Sequence, residues 1–291
     1  MRLLRAFWRS SPADVVVSLV PHFNRALAES LHLESPATPF VTILTDLADY
    51  PPHFWMERQD QFFICGSERA VAQARALGIN NGCVFHASGM ILHPRFQPTF
   101  CDRREERKQR GLDPDLPTGL VLFGGQGSDA MLEIAERLDA EGPHHLQLIF
   151  ICGRNQKLAD ALRRRRSRLR SCVEGFTTQV PFYMLLSDFF IGKPGPGSVS
   201  EAVAMRLPVI VERNAWTLPQ ERYNAEWILE NELGLVVRGP HQIPTAIREM
   251  LERGNLARFR TNAAAIRNRA VYEIPGFLRS VVEDPPGHPC A

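Results

Sequence analysis

The chain has 291 residues, with 34 lysines and arginines against 32 aspartates and glutamates, a formal net charge of +2. That length fits one large domain or two ordinary ones, and 44% hydrophobic residues supply a core for each. A charge so near neutral lacks the basic excess of a phosphate-backbone binder, so no nucleic-acid partner is expected.

The six cysteines, Cys65, Cys83, Cys101, Cys152, Cys172 and Cys290, show neither C-x-x-C nor metal-ligand spacing. They read as buried, reduced thiols of a cytosolic protein. No apolar run reaches the roughly twenty residues of a membrane span. The basic, amphipathic opening MRLLRAFWRS lacks a signal peptide's apolar core and cleavage site. A soluble or peripheral protein on the cytoplasmic side is expected.

After that helical scrap, DVVVSLV (14–20) is a continuous β-branched run, the mark of a strand buried on both faces of a parallel sheet. A helix over 24–33 follows, then the strands FVTILTD (40–46) and DQFFICGS (60–67), a helix over 68–77 and a short strand near 82–85. The stretch CDRREERKQRGLDPDLP (101–117) has almost no apolar content and ends in proline and glycine, so it reads as a linker with one exposed helical piece. Beyond it, GLVLF (119–123) leads into GGQGS and a helix from near 130. LQLIFICG (146–153) precedes a basic helix. DFFIGK (188–193) precedes GPGS and a helix, and LPVIVE (207–212) precedes a loop and a helix over 220–231. GLVV (234–237) is the last strand, and closing helices run over 242–270. Alternation on both sides of a linker implies two doubly wound α/β domains. Their expected bounds are 1–100 and 118–275, with 276–291 a tail. The first has no room for the earlier β-α units of a full doubly wound domain.

Such sheets bind ligands outside the carboxyl ends of their strands. Gly124-Gly125-Gln126-Gly127-Ser128 lies directly after a buried strand and before a helix carrying Met131, Ile134, Ala135 and Leu138 at helical period. Glycines there let backbone approach a ligand, and free amides at a helix start attract phosphate oxygens; a plain tight turn fits equally. Gly195-Pro196-Gly197-Ser198 repeats the pattern. Glu201 follows Ser198 at capping-box spacing, which by itself favours a cap over a carboxylate gripping ribose hydroxyls. Pro219-Gln220-Glu221, with Asn224 one turn on, offers amide and carboxylate groups to a polyhydroxyl ligand or simply starts a helix.

The order GGQGS, ICGRNQKL, VEGF, SDFFIGKPGPGSVSEA and PQE-x-x-N resembles the glycolipid glycosyltransferases of the monogalactosyldiacylglycerol synthase group. More distantly it resembles the bacterial N-acetylglucosaminyltransferase that makes lipid II. TDL and YPPHFW resemble that group's N-terminal domain. The resemblance implies an α/β, GT-B fold, two Rossmann-like domains facing a cleft, and a hexosyltransferase using UDP-galactose or UDP-glucose on a lipid acceptor such as diacylglycerol. It implies no tightly bound cofactor and no D-x-D metal site. Carried over, Gly124, Gly125, Gln126, Gly127, Ser128, Gly195, Pro196, Gly197 and Ser198 hold the donor diphosphate and Glu201 holds ribose. Phe176, beside Gly175, walls the uracil. Gln220 and Glu221 read the hexose, with Gly153, Arg154 and Asn155 beside them and Asn224 counted among the donor contacts. Arg154 and Lys193 offset phosphate charge.

The family's opening strand with its histidine-bearing glycine loop has no counterpart here. Val20 stands where the family tends to show a histidine before proline, with His22 just after Pro21. The chain is therefore expected to be N-terminally incomplete, which leaves Asp46 and His53 as catalytic or acceptor-side candidates. For Asp46, capping the next turn fits as well. A UDP-sugar epimerase of the same architecture and a non-catalytic UDP-sugar-binding remnant are the alternatives. The run RRRRSRLR (163–170) reads as a solvated helix face, with anionic lipid headgroups as the other reading. Leu3 to Trp8 fits a membrane interface or the tail of a helix. Phe54, Trp55, Phe62 and Phe63 fit a lipid groove, although strand core accounts for the last two.

Overall fold

The computed structural model describes residues 1–141, 145–283 and 290. The chain forms two compact units: Met1–His93 with Pro219–Tyr223 and Arg267–Ala291, and Pro94–Leu218 with Asn224–Ile266.

In the first unit a four-stranded parallel sheet runs in the order β1 (Val16–Ser18), β2 (Phe40–Ile43), β3 (Phe62–Cys65), β4 (Val84–His86). The runs at β2 and β3 are buried at every position, Thr42 included, as strands covered on both faces must be; β1, expected to be buried likewise, is an edge strand with Val17 exposed. α1 (Arg2–Ser10) packs on α2 (Asn24–Glu34), and buried Trp8 donates its indole N–H to Ser30 Oγ at 2.8 Å. α3 (Glu68–Ala76) opens on Ser67, whose hydroxyl accepts from Ala70 N at 3.1 Å.

The second unit holds a six-stranded parallel sheet. In spatial order its strands are β10 (Gly234–Val237), β9 (Val209–Glu212), β8 (Phe189–Gly192), β5 (Thr118–Leu122), β6 (Gln147–Ile151) and β7 (Ser171–Glu174). One face is covered by α5 (Ala130–Ala140), α6 (Gln156–Arg164) and α10 (Ile243–Leu251). The other carries α7 (Val180–Leu186), α8 (Pro196–Ala204), α9 (Arg222–Glu230) and α11 (Asn255–Ala265).

Several expectations give way. The stretch 101–117 is not an exposed linker: α4 (Arg103–Gln109) is anchored to the second unit through buried Arg107, which donates to Asp188 Oδ2 and Leu186 O, at 2.8 and 2.7 Å from Nη2. Counting apolar residues missed it because a paired arginine does the anchoring. The second domain does not run unbroken to 275, nor is 276 onward only a tail. α12 (Ala270–Glu283) belongs to the first unit, where Ala270, Ile274 and Val281 enter the core and Phe277 stacks on Phe85 at 4.6 Å. The helix runs through Pro275 and Gly276, held by burial of the apolar residues around them. Residues 284–289 and 291 of that expected tail lie outside the described residues.

The basic run is no continuous helix face, since α6 ends at Arg164. β7, a half-buried edge strand, carries little apolar signal in the sequence, and α7, an apolar helix of seven residues, is too short to show a period. Nor are all six cysteines reduced: Cys83 and Cys290 form a disulfide 207 residues apart in sequence, a pairing that no local spacing encodes. No helix among the described residues is long and apolar enough to cross a membrane.

Candidate functional site

From β5 the second unit's sheet grows one way through β6 and β7 and the other way through β8, β9 and β10. The junction of β5 and β8 is a topological switch point, where open α/β sheets leave a crevice beyond their carboxyl ends. The two strands pair through Leu122 opposite Gly192. The turns Gly124–Ser128 and Lys193–Ser198 therefore leave from neighbouring strands, and a Cβ on Gly124 would lie 3.8 Å from Lys193 Cε.

The glycines divide by cause. Gly127 and Gly153 are left-handed, at φ 63° and 58°, and a Cβ on Gly153 would stand 2.3 Å from Gly125 O. These two let the turn after β6 lie against the turn after β5, where Arg154 N donates to Gly125 O at 2.9 Å. At Gly125 and Gly197 neither reason holds: each lies outside the left-handed region, and a Cβ would meet nothing within 4 Å. The fold does not ask for glycine at either position.

α8 starts at N-cap Gly195 with Pro196 in its first turn and no side-chain cap. The first-turn amides of Gly197 and Ser198 precede the point where intrahelical bonding begins, so they remain available to a ligand. This excludes the capping box. Ser198 is the third helical residue, its hydroxyl donating to Gly195 O at 3.3 Å, and Glu201 lies a turn further on, beyond reach of the N-cap amide. The half-buried Glu201 carboxylate accepts no hydrogen bond among the described residues. Burial lifts its carboxyl to about 7, with the Arg95 charge opposing the rise.

Around this centre, exposed Gln126 lies on the first turn, and Ser128 Oγ accepts from Ala130 N at 3.3 Å. Phe176 follows β7 with 63% of its surface exposed, and the Arg154 guanidinium lies 5.2 Å above its ring. Two expected contacts also hold the fold. Asn155 caps α6, its Oδ1 accepting from Leu158 N at 3.0 Å. Asn224 is fully buried, and its Nδ2 donates to Pro194 O at 2.7 Å.

Asp46, His53, Gln220 and Glu221 belong to the first unit. Asp46 is buried beyond β2, and Trp55 Nε1 donates to its Oδ2 at 2.8 Å. Burial lifts its carboxyl to about 6, the indole hydrogen bond opposing and the Glu221 charge adding. Capping the next turn falls instead to Asp49, which accepts from His53 N at 3.0 Å and Trp55 N at 2.6 Å. The His53 ring, more than half exposed, has Met56 O at 3.3 Å and Glu57 at 3.9 Å. Asp49 and Arg95 escaped the sequence reading, since neither sits in a motif or a periodic element.

No family model matches the chain. Among curated proteins it is 28% identical over 283 residues to a probable monogalactosyldiacylglycerol synthase 2 of Oryza sativa subsp. japonica, covering 94% of this chain and 60% of that protein. It is 31% identical over 216 residues to monogalactosyldiacylglycerol synthase 2 of Arabidopsis thaliana, covering 72% of this chain and 45% of that protein. The chain thus spans about half to three fifths of the length of these relatives. Among solved structures it superposes on MurG of Acinetobacter baumannii with a TM-score of 0.64 at 14% identity, over 95% of this chain and 76% of that one. By fold the chain is a GT-B protein, and by sequence it is a relative of the monogalactosyldiacylglycerol synthases.

Proposed function

We propose that the chain is a hexosyltransferase moving a hexose from a UDP-sugar, UDP-galactose or UDP-glucose, to the hydroxyl of a lipid such as diacylglycerol. One observation carries this reading. Two glycine turns leave paired strands at the switch point, and Glu201, a half-buried carboxylate that accepts no hydrogen bond among the described residues, stands on the helix that one of them opens.

Amides of Gly125, Ser128, Gly197 and Ser198 receive the diphosphate, Gly127, whose N–H donates to Gly124 O at 3.1 Å, shapes the turn beneath it, and Arg154 and Lys193 offset its charge. Glu201, ionised, accepts both ribose hydroxyls. Phe176 walls the uracil, and Gln220 and Glu221 read the hexose hydroxyls. Asp46, held by Trp55, is the base and His53 an acceptor-side group. The acceptor oxygen attacks the anomeric carbon, its proton passes to the Asp46 carboxylate, and the bond to UDP breaks as the helix ends stabilise the departing phosphate. We place the protein on the inner face of a membrane, with exposed Leu3 and Phe7 of α1 beside Arg2 meeting anionic lipid.

The test is incubation with labelled UDP-galactose or UDP-glucose, with and without diacylglycerol vesicles. UDP release that requires the lipid supports transfer. Release without acceptor indicates an epimerase or hydrolase, and binding without turnover a binding protein; either result sinks the proposal.

A further inference from the structure

Asn224 stands out among the second unit's polar residues. It is 0% exposed, its Nδ2 donates to Pro194 O at 2.7 Å, and its Oδ1 is buried with no hydrogen-bond partner. A buried amide with an orphaned acceptor is a poor choice for packing alone, since an apolar side chain of that volume carries no such penalty. What the amide supplies is one directed N–H on Pro194, the residue before the N-cap of α8. Proline has no backbone N–H of its own, and Gly195 and Gly197 leave the turn without side chains to brace it. α8 has no side-chain cap, so this hydrogen bond, brought in from α9, fixes where its first-turn amides point.

We infer that Asn224 is a positioning residue: through Pro194 it aims the N-terminus of α8 at the donor's diphosphate without touching the donor. This rests on the UDP-sugar reading above and assigns Asn224 a task other than contact with the hexose.

The test is calorimetry on the full chain with uridine and with UDP, comparing wild type with Asn224→Ala and Asn224→Leu, the latter keeping the volume without the donor. Uridine uses the base wall and Glu201, whereas UDP adds the phosphates on α8. The expected result is a UDP Kd raised about ten-fold in both variants, with uridine affinity held within about two-fold. Equal losses for both ligands would reveal a merely structural residue, and an unchanged UDP Kd would show that the amide does not aim the helix; either overturns the inference. Wild type that binds neither ligand overturns the UDP-sugar reading and this inference with it.

Discussion

Gly197 gives a sharp test of the phosphate cradle, because the fold and the ligand make opposite demands on it. It sits in the first turn of α8, outside the left-handed region, where a Cβ meets nothing within 4 Å. Glycine inside a helix costs about 0.5–1 kcal/mol relative to alanine. Gly197→Ala should therefore stabilise the ligand-free unit by up to that amount, a rise of about 1–4 °C in Tm. With UDP bound, the new methyl projects into the space reserved for the phosphate. Forcing a methyl into a close contact costs about 1–3 kcal/mol, which is roughly a 5- to 150-fold loss of affinity. Thermal melts without ligand and calorimetry with UDP should show the two changes in opposite directions. Gly153→Ala is the control. Its Cβ would overlap Gly125 O at 2.3 Å in a left-handed residue, so ligand-free stability should fall. Undiminished UDP affinity in Gly197→Ala would refute the assignment of phosphate to α8. A lower ligand-free Tm would show that the glycine serves the fold after all.

Further outcomes follow from three carboxylates, Glu201, Asp46 and Asp188. If only ionised Glu201 grips ribose, its carboxyl near 7 makes UDP affinity fall roughly ten-fold from pH 8 to pH 6, while Glu201→Gln is weak and flat across that range; a sloping profile in the variant would assign the titration elsewhere. The same upward shift makes the folded unit more stable below the ordinary glutamate range and less so as pH rises through about 7, a trend for pH-dependent melts to check. Asp46→Asn should lower kcat by about 10²- to 10⁴-fold with UDP affinity kept, and wild-type kcat should fall as pH drops through about 6; undiminished turnover removes Asp46 as the base. Asp188→Asn should cost about 3–5 kcal/mol in denaturant unfolding, because buried Arg107 loses its carboxylate and Arg103 and Arg260 lose the same partner. Burial alone would raise the Asp188 carboxyl, but Arg103 and Arg107 hold it below its usual range, so its stabilisation is full above that range and fades as pH falls through the lowered value.

The sequence made the sheets legible where strands are buried on both faces. Phe40–Ile43, Thr118–Leu122 and Phe189–Gly192 are apolar runs that fit little else. Legibility failed where a structure depends on pairing across the chain. Arg107 finds Asp188 eighty-one positions away, Cys83 finds Cys290, and α12 returns to the first unit past a segment of the second. Local periodicity holds no record of such partners, so composition alone makes each look like a linker, a free thiol or a tail.

At the site the limits differ in kind. The motif GPGS-x-x-E admits two placements of its helix start, and they assign Glu201 opposite roles. Were Ser198 the N-cap, Glu201 would be the third helical residue and bond back to the cap. The helix starts instead at Gly195–Pro196, because proline's fixed φ suits the first turn and its missing N–H costs nothing there. That three-residue shift moves Glu201 into the second turn, out of reach of the backbone it would have capped. A half-buried carboxylate that accepts no hydrogen bond is unfavourable for a fold on its own. A ligand with two vicinal hydroxyls would remove the penalty, and in UDP those hydroxyls lie one phosphoester linkage from the diphosphate that the same helix start is proposed to receive.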